Sequence, residues 1–477
     1  MKIALVFLCV FLSCTCLAQD ANYWSSAYGP GAFFTPGSVV SYNGDSGVVF
    51  YNPALLAYSR RNAASISATV YQYNMTHIKD GAGTGFDIKS SGFSVIPLIA
   101  SHTVPLKWKL PITVIYAITN RPVMLYQTSK RQEEVLDALD NYYSPGSELF
   151  IGQFTHNEIA SETAGLVSAG IKLKPNFSVG MSLEGRVYRR HTLFRTQSRV
   201  LENITDSTVF PPVVNVEQFY EAMATNGGLR IKLGANYEFD NNHHFGMVVS
   251  LPLIKIFGKG SLTSDIQIND LTLSPGVTVN LLASTQQEHL KSTWKMPLSI
   301  AAGYTWKHRK GMLYFSAEYF GKIKLYDVLA PKDQSFIRPD TVSSTYAYDV
   351  LRYMDARKAL LNAGIGFSYE LREAIVGYLS FRTDFNYLDL KSLEDKRGFV
   401  AATSRWNSYH MQLGSNFRFK RSNIRAGALL TYGLSHSFEQ VMNFDNPDES
   451  NLLLGETVDT KATHFQAGFM VSYLYNL

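Results

Sequence analysis

Apolar and polar side chains alternate along the C-terminal segment 462–477. In an extended chain one face carries Phe465, Ala467, Phe469, Val471, Tyr473, Tyr475 and Leu477, and the other carries Gln466, Gly468, Ser472 and Asn476. Successive side chains of a β-strand point to opposite faces, so one face can meet lipid while the other meets an aqueous lumen. The pattern therefore predicts a membrane-spanning strand.

The same alternation recurs along the chain from about residue 62 onward. It predicts fourteen strands, at residues 62–77, 86–103, 111–127, 159–173, 175–199, 227–239, 243–262, 294–307, 311–325, 357–370, 373–389, 404–420, 422–437 and 462–477. The count is even, as expected for a bacterial barrel whose two ends lie on one side of the membrane.

The predicted connections alternate between short and long. Strands 4 and 5, 6 and 7, 8 and 9, 10 and 11, and 12 and 13 are joined by one to three residues, whereas most other links have roughly 25 to 30. Membrane barrels combine short periplasmic turns with long extracellular loops, and a soluble β-sandwich has no reason to sort its loops by length. The predicted fold is all-β, a fourteen-stranded antiparallel transmembrane β-barrel.

The composition favours a barrel over a helical membrane protein. Aromatic residues make up 13% of the chain and charged residues 17%, below the roughly 25% charged residues of a typical soluble domain. After the first eighteen residues no apolar stretch is long enough for a membrane-spanning helix. The formal charge of +5 is spread along the chain without a basic run, so no nucleic-acid partner is predicted.

Residues 1–18 have the layout of a cleavable signal peptide. A positive residue and an apolar run precede short side chains and a cleavage site after Ala18. Lipoprotein processing at Cys14 or Cys16 is the alternative, although the residues before them fit that signal poorly. With Cys9, these are all the cysteines of the chain, so no disulfide or thiol chemistry is expected after cleavage. The predicted location is the outer membrane of a Gram-negative bacterium.

Residues 19–61 do not alternate, and the barrel is predicted to occupy residues 62–477. The segment is rich in Gly, Pro and Ser but also in large aromatic residues, which argue against full exposure to water. We therefore predict an N-terminal plug, or hatch, folded into the lumen. Its candidate residues include Tyr23, Trp24, Phe33 and Phe34.

The end of this segment carries a recognisable motif. It runs Gly44, Asp45, Ser46, Gly47, Val48, Val49, Phe50, Tyr51, Asn52, Pro53, Ala54, Leu55 and Leu56. It resembles the junction between hatch and first strand in the outer-membrane transporters for long-chain fatty acids and toluene. The resemblance continues at Val95, Ile96 and Pro97, at residues 102–106, at residues 227–238 and at residues 296–300. It covers essentially the whole chain after the signal peptide.

This resemblance implies a fourteen-stranded barrel with an N-terminal hatch that is gated near Asn52, Pro53 and Ala54. It also implies passive uptake of hydrophobic small molecules such as long-chain fatty acids. Two departures from the family are visible. The chain ends in Leu477 rather than in an aromatic residue, and its loop sequences do not match, which leaves the ligand open.

Two predicted loops carry apolar residues at helical spacing, within residues 133–143 and 216–225. The stripes include Leu136, Leu139 and Tyr142 in the first segment, and Phe219, Tyr220 and Met223 in the second. Such stripes either pack on the rim of the barrel or form the walls of an entry groove for an apolar ligand.

Charged residues fall on the polar face of several predicted strands, where they avoid the cost of facing lipid. They are Glu184, Arg186, Arg230, Lys232, Glu238, Glu318 and Arg382. The simpler interpretation is that these charges are solvated or pair with one another inside the barrel. The more specific interpretation is that they form a site for a polar substrate.

No motif predicts catalysis, a metal or a cofactor. Gly44, Asp45, Ser46 and Gly47 match a serine-protease nucleophile motif without its histidine partner. His243 and His244 are predicted to lie solvated in a turn rather than to bind metal. The acidic residues Asp445, Asp448 and Glu449 lack the spacing of a calcium loop.

Two functions remain open. The first is a channel whose partners are a hydrophobic small molecule, such as a fatty acid, and outer-membrane lipid. The second is an accessory barrel that docks a protein partner in a secretion or assembly complex, since a fold does not fix a function. A lipase-type barrel would need a Ser-His pair at the rim, and no motif supports one.

Overall fold

Fourteen antiparallel strands close into a barrel in the computed structural model of this chain. The structure describes residues 21–24, 38–42, 48–59, 64–67, 69–94, 98–104, 111–204, 210–274, 276–338, 346–393, 396–400, 404–419 and 422–475. The predicted signal peptide, Phe33, Phe34 and the motif at 44–47 lie outside these residues, as do both predicted domain boundaries.

The described elements are numbered in chain order. The strand segments are β1 (Ala64–Ser67), β2 (Thr69–Ile78), β3 (Ile88–Ser94), β4 (Leu98–Val104), β5 (Ile112–Leu136), β6 (Glu148–Lys174), β7 (Phe177–Leu201), β8 (Val213–Glu238), β9 (His243–Ser250), β10 (Ile254–Ser274), β11 (Val277–Lys291), β12 (Ser299–His308), β13 (Gly311–Phe320), β14 (Ile323–Leu329), β15 (Ile337–Arg338), β16 (Tyr353–Arg357), β17 (Leu360–Arg372), β18 (Ile375–Asp384), β19 (Phe399–Val400), β20 (Asn407–Arg418), β21 (Ser422–Glu439) and β22 (Asp459–Tyr475). The short helices are α1 (Ser38–Ser41), α2 (Val48–Tyr51), α3 (Ala347–Val350) and α4 (Leu390–Leu393), with 3-10 turns at Pro53–Tyr58 and Glu449–Asn451. None of these helices is long and apolar enough to cross a membrane.

The barrel is closed by β22, which pairs with β1 and β2 on one side and with β21 on the other. Four barrel strands consist of two consecutive segments each: β1 with β2, β3 with β4, β9 with β10, and β11 with β12. Each predicted strand overlaps one barrel strand in chain order. The predicted fourteen-stranded antiparallel barrel is therefore confirmed.

The two ends of the barrel differ. At the turn end, β6 and β7, β12 and β13, and β17 and β18 are joined by two residues each. At the opposite, loop end, the connection between β13 and β17 contains β14, β15, α3 and β16, and β14, β16 and β19 form a small separate sheet. The long loop predicted between the seventh and eighth strands, at residues 263–293, is wrong, because β10 and β11 cover most of it and pair with each other as far as Ser274 and Val277.

The helical spacing of apolar residues at 133–143 and 216–225 does not correspond to helices, and residues 216–225 do not form a loop. β5 continues to Leu136, and β8 covers the whole second segment while pairing with β7 and β10. The backbone of β8 forms hydrogen bonds with neighbouring strands on both sides, and a local helix would lose these bonds. The strands β5 to β8 contain 25, 27, 25 and 26 residues, far more than the roughly 9–11 that a bilayer requires.

As a result, the residues predicted to line an entry groove do not share a wall. Tyr220 points into the barrel and is fully buried, whereas Phe219 and Met223 face outward on the same strand. Leu139 is buried in a loop, and Tyr142 is 76% exposed. Leu136 packs at the edge of the interior core.

The interior of the loop end is a hydrophobic core. Tyr220 stacks on Phe399 with ring centroids 3.5 Å apart, and Phe154 meets Phe194 edge to face. The fully buried large side chains are Phe50, Phe150, Phe154, Phe194, Tyr220, Phe336, Tyr353, Phe399, Phe438 and Phe444. All but Phe50 belong to this core, so packed loops close the barrel at this end.

An apolar belt encircles the outside of the barrel near the turn end. On β7 the outward residues are Phe177, Val179, Met181, Leu183, Gly185 and Val187, followed by Arg189, His191, Leu193, Arg195, Gln197 and Arg199. The change from apolar to mostly polar outward residues falls between Val187 and Arg189. A bilayer would cover the first part of the strand and leave the second in water.

We predict that Leu183→Arg lowers the free energy of unfolding in lipid vesicles by about 2–4 kcal/mol, because the outward side chain at this position faces lipid. Leu193→Arg is the matched control on the same face of β7, beyond the belt, and should change it little. Denaturant titration in vesicles measures both. Equal effects of the two substitutions would contradict the position of the belt.

Candidate functional site

The N-terminal segment rests on three glycines of the barrel wall. Gly170, Gly180 and Gly234 are direct cross-strand partners on β6, β7 and β8, and we call them the glycine row. A Cβ atom would lie 2.6 Å from the Pro53 carbonyl oxygen at Gly170, 2.4 Å from the Pro53 carbonyl carbon at Gly180 and 2.1 Å from Asn52 Oδ1 at Gly234. Only glycine allows the two backbones to approach so closely.

Asn52 ties the segment to itself and to the wall. Its fully buried side chain donates from Nδ2 to the carbonyl oxygens of Val40 (2.6 Å) and Ala235 (3.1 Å), and Oδ1 accepts from the Ala54 amide (3.0 Å). It caps the 3-10 turn, and Pro53 occupies the first position, where no amide hydrogen is needed. Asn52, Pro53 and Ala54 thus join α1, the turn and β8.

The start of the segment is held on the opposite wall. The Trp24 amide donates to Asp384 Oδ1 (3.0 Å), and its indole Nε1 donates to Glu318 Oε2 (2.8 Å). The Tyr23 ring stacks on Phe320 with centroids 4.2 Å apart. The predicted hatch aromatics Tyr23 and Trp24 therefore lie inside the barrel.

An internal cavity of about 160 Å³ lies between these two parts of the segment. Its aromatic and apolar lining is Tyr23, Trp24, Val40, Phe50, Tyr51, Val123, Tyr188, Val248, Trp294, Met296, Ala301, Ala317, Phe320 and Tyr387. Tyr188 and Trp294 stack with centroids 4.7 Å apart. The cavity thus combines aromatic walls with charged groups.

Most lumen charges are paired with one another. Arg186 contacts Glu162 at 2.5 Å and Glu184 at 2.7 Å. Lys232 contacts Glu184 at 2.6 Å and donates to the Phe50 carbonyl oxygen at 2.6 Å, so this network also holds the N-terminal segment. A low-dielectric interior tolerates such charges only when they are paired and hydrogen-bonded.

Arg382 differs from the other lumen cations. Arg230 donates to the carbonyl oxygens of Leu251 and Pro297, at 3.1 Å each. Arg382 is only 3% exposed and lines the cavity, yet its Nε and Nη2 atoms have no hydrogen-bond partner among the described residues. Buried N–H groups without acceptors are costly, and a planar carboxylate is the best complement of a guanidinium.

The wall of the cavity contains a bulge in β5. The register with β6 shifts between Pro122 and Met124, and Arg121 and Val123 on either side of the proline both line the cavity. Proline lacks an amide hydrogen for the ladder, and a bulge re-aims the side chains next to it. Arg121 uses this position to contact Glu162 at 3.0 Å.

Other candidate residues have structural partners. His243 and His244 begin β9 rather than lying solvated in a turn: His243 Nδ1 lies 2.5 Å from the Tyr304 hydroxyl, and His244 is buried 3.4 Å from Glu238. Asp448 caps a 3-10 turn through the Ser450 amide. Asp445 accepts a hydrogen bond from the Thr84 amide. Glu449 accepts from the Tyr143 hydroxyl, and burial raises the pKa of Glu449.

Sequence reasoning missed several residues of this site. They are the glycine row, Arg121, Glu162, Tyr188, Trp294 and Asp384. The charged residues lie in predicted strands or next to charges that were identified, so their alternation phase could have revealed them. The glycine row has a signal as well, because three neighbouring strands each carry glycine on the lumen-facing phase.

Several solved outer-membrane transporters share this architecture. The Pseudomonas putida toluene transporter TodX matches with a TM-score of 0.55 and 12% identity, over 95% of this chain and 98% of its own. A Pseudomonas aeruginosa FadL homologue gives 0.55 and 12% over 96% and 99%. The Ralstonia pickettii toluene transporter TbuX gives 0.52 and 9% over 95% and 99%. At these identities the likeness establishes the fold.

No protein-family model and no curated protein matches the chain.

We predict that Gly234→Ala displaces the Asn52–Ala54 region and lowers the free energy of unfolding by about 1–3 kcal/mol, because the added methyl group overpacks the contact with Asn52. An Ala57→Cys label reports the displacement, since all native cysteines lie within the first eighteen residues. Thiol labelling should be faster when Gly234→Ala is present.

Gly185→Ala is the matched control on β7, because the nearest atom to its Cβ would be 3.8 Å away. It should leave the labelling rate and the stability unchanged. If Gly234→Ala leaves the labelling rate unchanged, the position of Asn52–Ala54 does not depend on the glycine row.

Proposed function

We propose that this protein is an outer-membrane channel for passive uptake of hydrophobic small molecules, with long-chain fatty acids as its substrates. Three features support the proposal: the aromatic cavity inside the barrel, the buried Arg382 at its wall and the N-terminal segment that closes it. Two of the solved structures that share the fold are toluene transporters. In this account the turn end faces the periplasm and the loop end faces the outside.

The apolar part of the cavity suits a hydrocarbon. Aromatic side chains from the barrel wall and from the N-terminal segment face each other across it, including Tyr188, Trp294 and Tyr23. Ligand sites of this kind combine mostly apolar walls with a few polar groups that fix orientation. The wall therefore favours an apolar molecule with one polar end.

The charge of the lining favours an acidic polar end. It contains six basic residues, Arg121, Arg186, Arg230, Lys232, Arg357 and Arg382, and two acidic residues, Glu162 and Glu318. Carboxylates satisfy Arg121, Arg186, Lys232 and Arg357, and backbone carbonyls satisfy Arg230. Asp384, two residues from Arg382, attracts it electrostatically, but its Oδ1 accepts from the Trp24 amide and from Asn362 Nδ2 rather than from Arg382. Arg382 is thus the cation best placed to receive the carboxylate of a ligand.

Passage through the barrel requires the N-terminal segment to move. Asn52, Pro53 and Ala54 are held by hydrogen bonds of a single side chain and by close contact with the glycine row. Lys232 links Phe50 of the segment to Glu184. We propose that ligand binding in the cavity competes with these contacts, and that Asn52–Ala54 is the gate.

We predict that Arg382→Gln weakens the binding of palmitate by about ten- to a hundredfold, because a hydrogen bond between charged groups contributes roughly 1.5–3 kcal/mol. Palmitate methyl ester, which has the same chain without the charge, should bind the variant and the native protein equally. Isothermal titration in detergent measures both ligands.

Arg418→Gln is the control, because this exposed arginine pairs with Glu370 near the turn end and does not line the cavity. It should leave both affinities unchanged. If Arg382→Gln weakens the binding of palmitate and of its methyl ester equally, Arg382 does not bind the carboxylate. If cells lacking the protein take up palmitate at the normal rate, the uptake function is wrong.

One observation favours the second function, docking of a protein partner. Val135, Leu149, Leu201 and Val213 are cross-strand partners in one outward row at the loop end, and they are 71%, 37%, 38% and 48% exposed. Leu201 lies ~45 Å along β7 from Val187, so the row is outside the lipid. Exposed apolar rows of this kind are typical of protein contacts.

For the docking function we predict that Leu149→Ser with Leu201→Ser removes a stoichiometric protein partner from the complex isolated from native membranes, because the substitutions remove the apolar contact surface. Thr155→Val with Gln197→Val, on the same outward face, should retain it. Native gel electrophoresis and mass spectrometry measure the composition. A barrel that is isolated alone in both forms would contradict docking.

A further inference from the structure

Four basic side chains lie together on the outside of the barrel. Arg189 on β7 is aligned with Thr225, Thr225 with Lys259, and Lys259 with Lys291, so these cations lie in one row across β7, β8, β10 and β11. Lys255 lies nearby and donates from Nζ to Thr293 Oγ1 at 3.0 Å. All four basic residues are exposed.

None of the four forms an ion pair with any residue that the structure describes. Glu288, three residues before Lys291, is not within ion-pair distance of them. Lys259 and Lys291 are directly opposite each other, an arrangement in which like charges repel. The cluster therefore has an excess of positive charge that no residue in the described part of the chain neutralises.

Several other outward cations of these long strands form ion pairs. His191 contacts Glu221 at 2.7 Å, and Arg195 contacts Glu217 at 2.7 Å, both farther from the turn end than Arg189. On β5, Arg131 contacts Glu133 at 3.1 Å. Among the described residues, acidic partners are thus present for Arg131, His191 and Arg195 but not for this cluster.

The cluster adjoins the edge of the apolar belt. The neighbouring outward row toward the turn end contains Val187, Gly227 and Phe257, with the Phe257 ring lying over Gly227. Ile254 and Ile256 are 57% and 61% exposed next to it. If lipid covers the belt, the four cations lie at the level of the lipid head groups.

We propose that Arg189, Lys255, Lys259 and Lys291 bind the phosphate of a lipid head group in the outer leaflet. The acyl chains of that lipid lie on Ile254, Ile256 and Phe257, and its phosphate relieves the repulsion between Lys259 and Lys291. Basic side chains at a membrane surface attract anionic head groups in this way. The site is on the outside of the barrel and does not depend on the uptake function.

The test compares the native protein with the triple variant Lys255→Gln, Lys259→Gln and Lys291→Gln. Native mass spectrometry measures the binding of bis-phosphorylated lipid A and of the same lipid after phosphate removal. The matched control is Lys174→Gln, Arg309→Gln and Lys310→Gln, which removes the same charge at the turn end. Heat-dependent gel mobility checks that every variant is a folded barrel.

The triple variant should bind phosphorylated lipid A about a hundredfold more weakly than the native protein, and the control should bind it normally. Without phosphates, the lipid should bind all three proteins equally weakly. Three results would overturn the site. The triple variant could bind phosphorylated lipid A as tightly as the native protein does, or the control variant could lose as much affinity as the triple variant. The third result is that the native protein binds lipid A equally well with and without its phosphates. Full competition by inorganic phosphate at low concentration would also overturn it, because the lipid would then be unnecessary.

Discussion

The pairing of β22 with β1 and β2 is the interaction on which the rest of the molecule depends. In lipid every backbone amide and carbonyl needs a partner within the protein, and only a closed sheet provides one for the two terminal strands. Closure also gives each strand an inside and an outside. The alternation of residues on β7 then separates lipid-facing Leu183 from lumen-facing Glu184 and Arg186.

Closure creates a lumen that the chain must fill, and it does so in two different ways. At the loop end, long strands and folded loops build an aromatic core around Tyr220 and Phe399. Nearer the turn end, the N-terminal segment lies against the glycine row and is held by Asn52 and Lys232. The cavity lies between the aromatic core and the N-terminal segment, which explains why residues of both the barrel wall and the segment line it.

The strand count could be predicted from the sequence because alternation and turn lengths report directly on a barrel. The extent of β8 could not, because Phe219 and Met223 are four residues apart, a spacing that places them on one face of a helix and also of a strand. Only pairing with β7 and β10 decides between these structures. The membrane-spanning part was clearer because its outward residues are uniformly apolar.

The site was predictable residue by residue but not as an arrangement. Arg382 was identified as a lumen charge from its phase in the strand, yet whether a described residue accepts from its Nε and Nη2 depends on neighbours that are distant in sequence. The glycines at 170, 180 and 234 are ordinary in sequence and become one surface only through strand register. The register between strands that are distant in sequence is set by closure of the sheet, so it cannot be predicted from any single segment.

The most direct test of the central claim is a structure of the protein purified with saturating palmitate, at a resolution that shows side chains. The account predicts a carboxylate within hydrogen-bond distance of Arg382 Nε or Nη2, with the acyl chain against Tyr188 and Trp294. A lumen without ligand density at saturating palmitate, or a carboxylate bound away from Arg382, would contradict it.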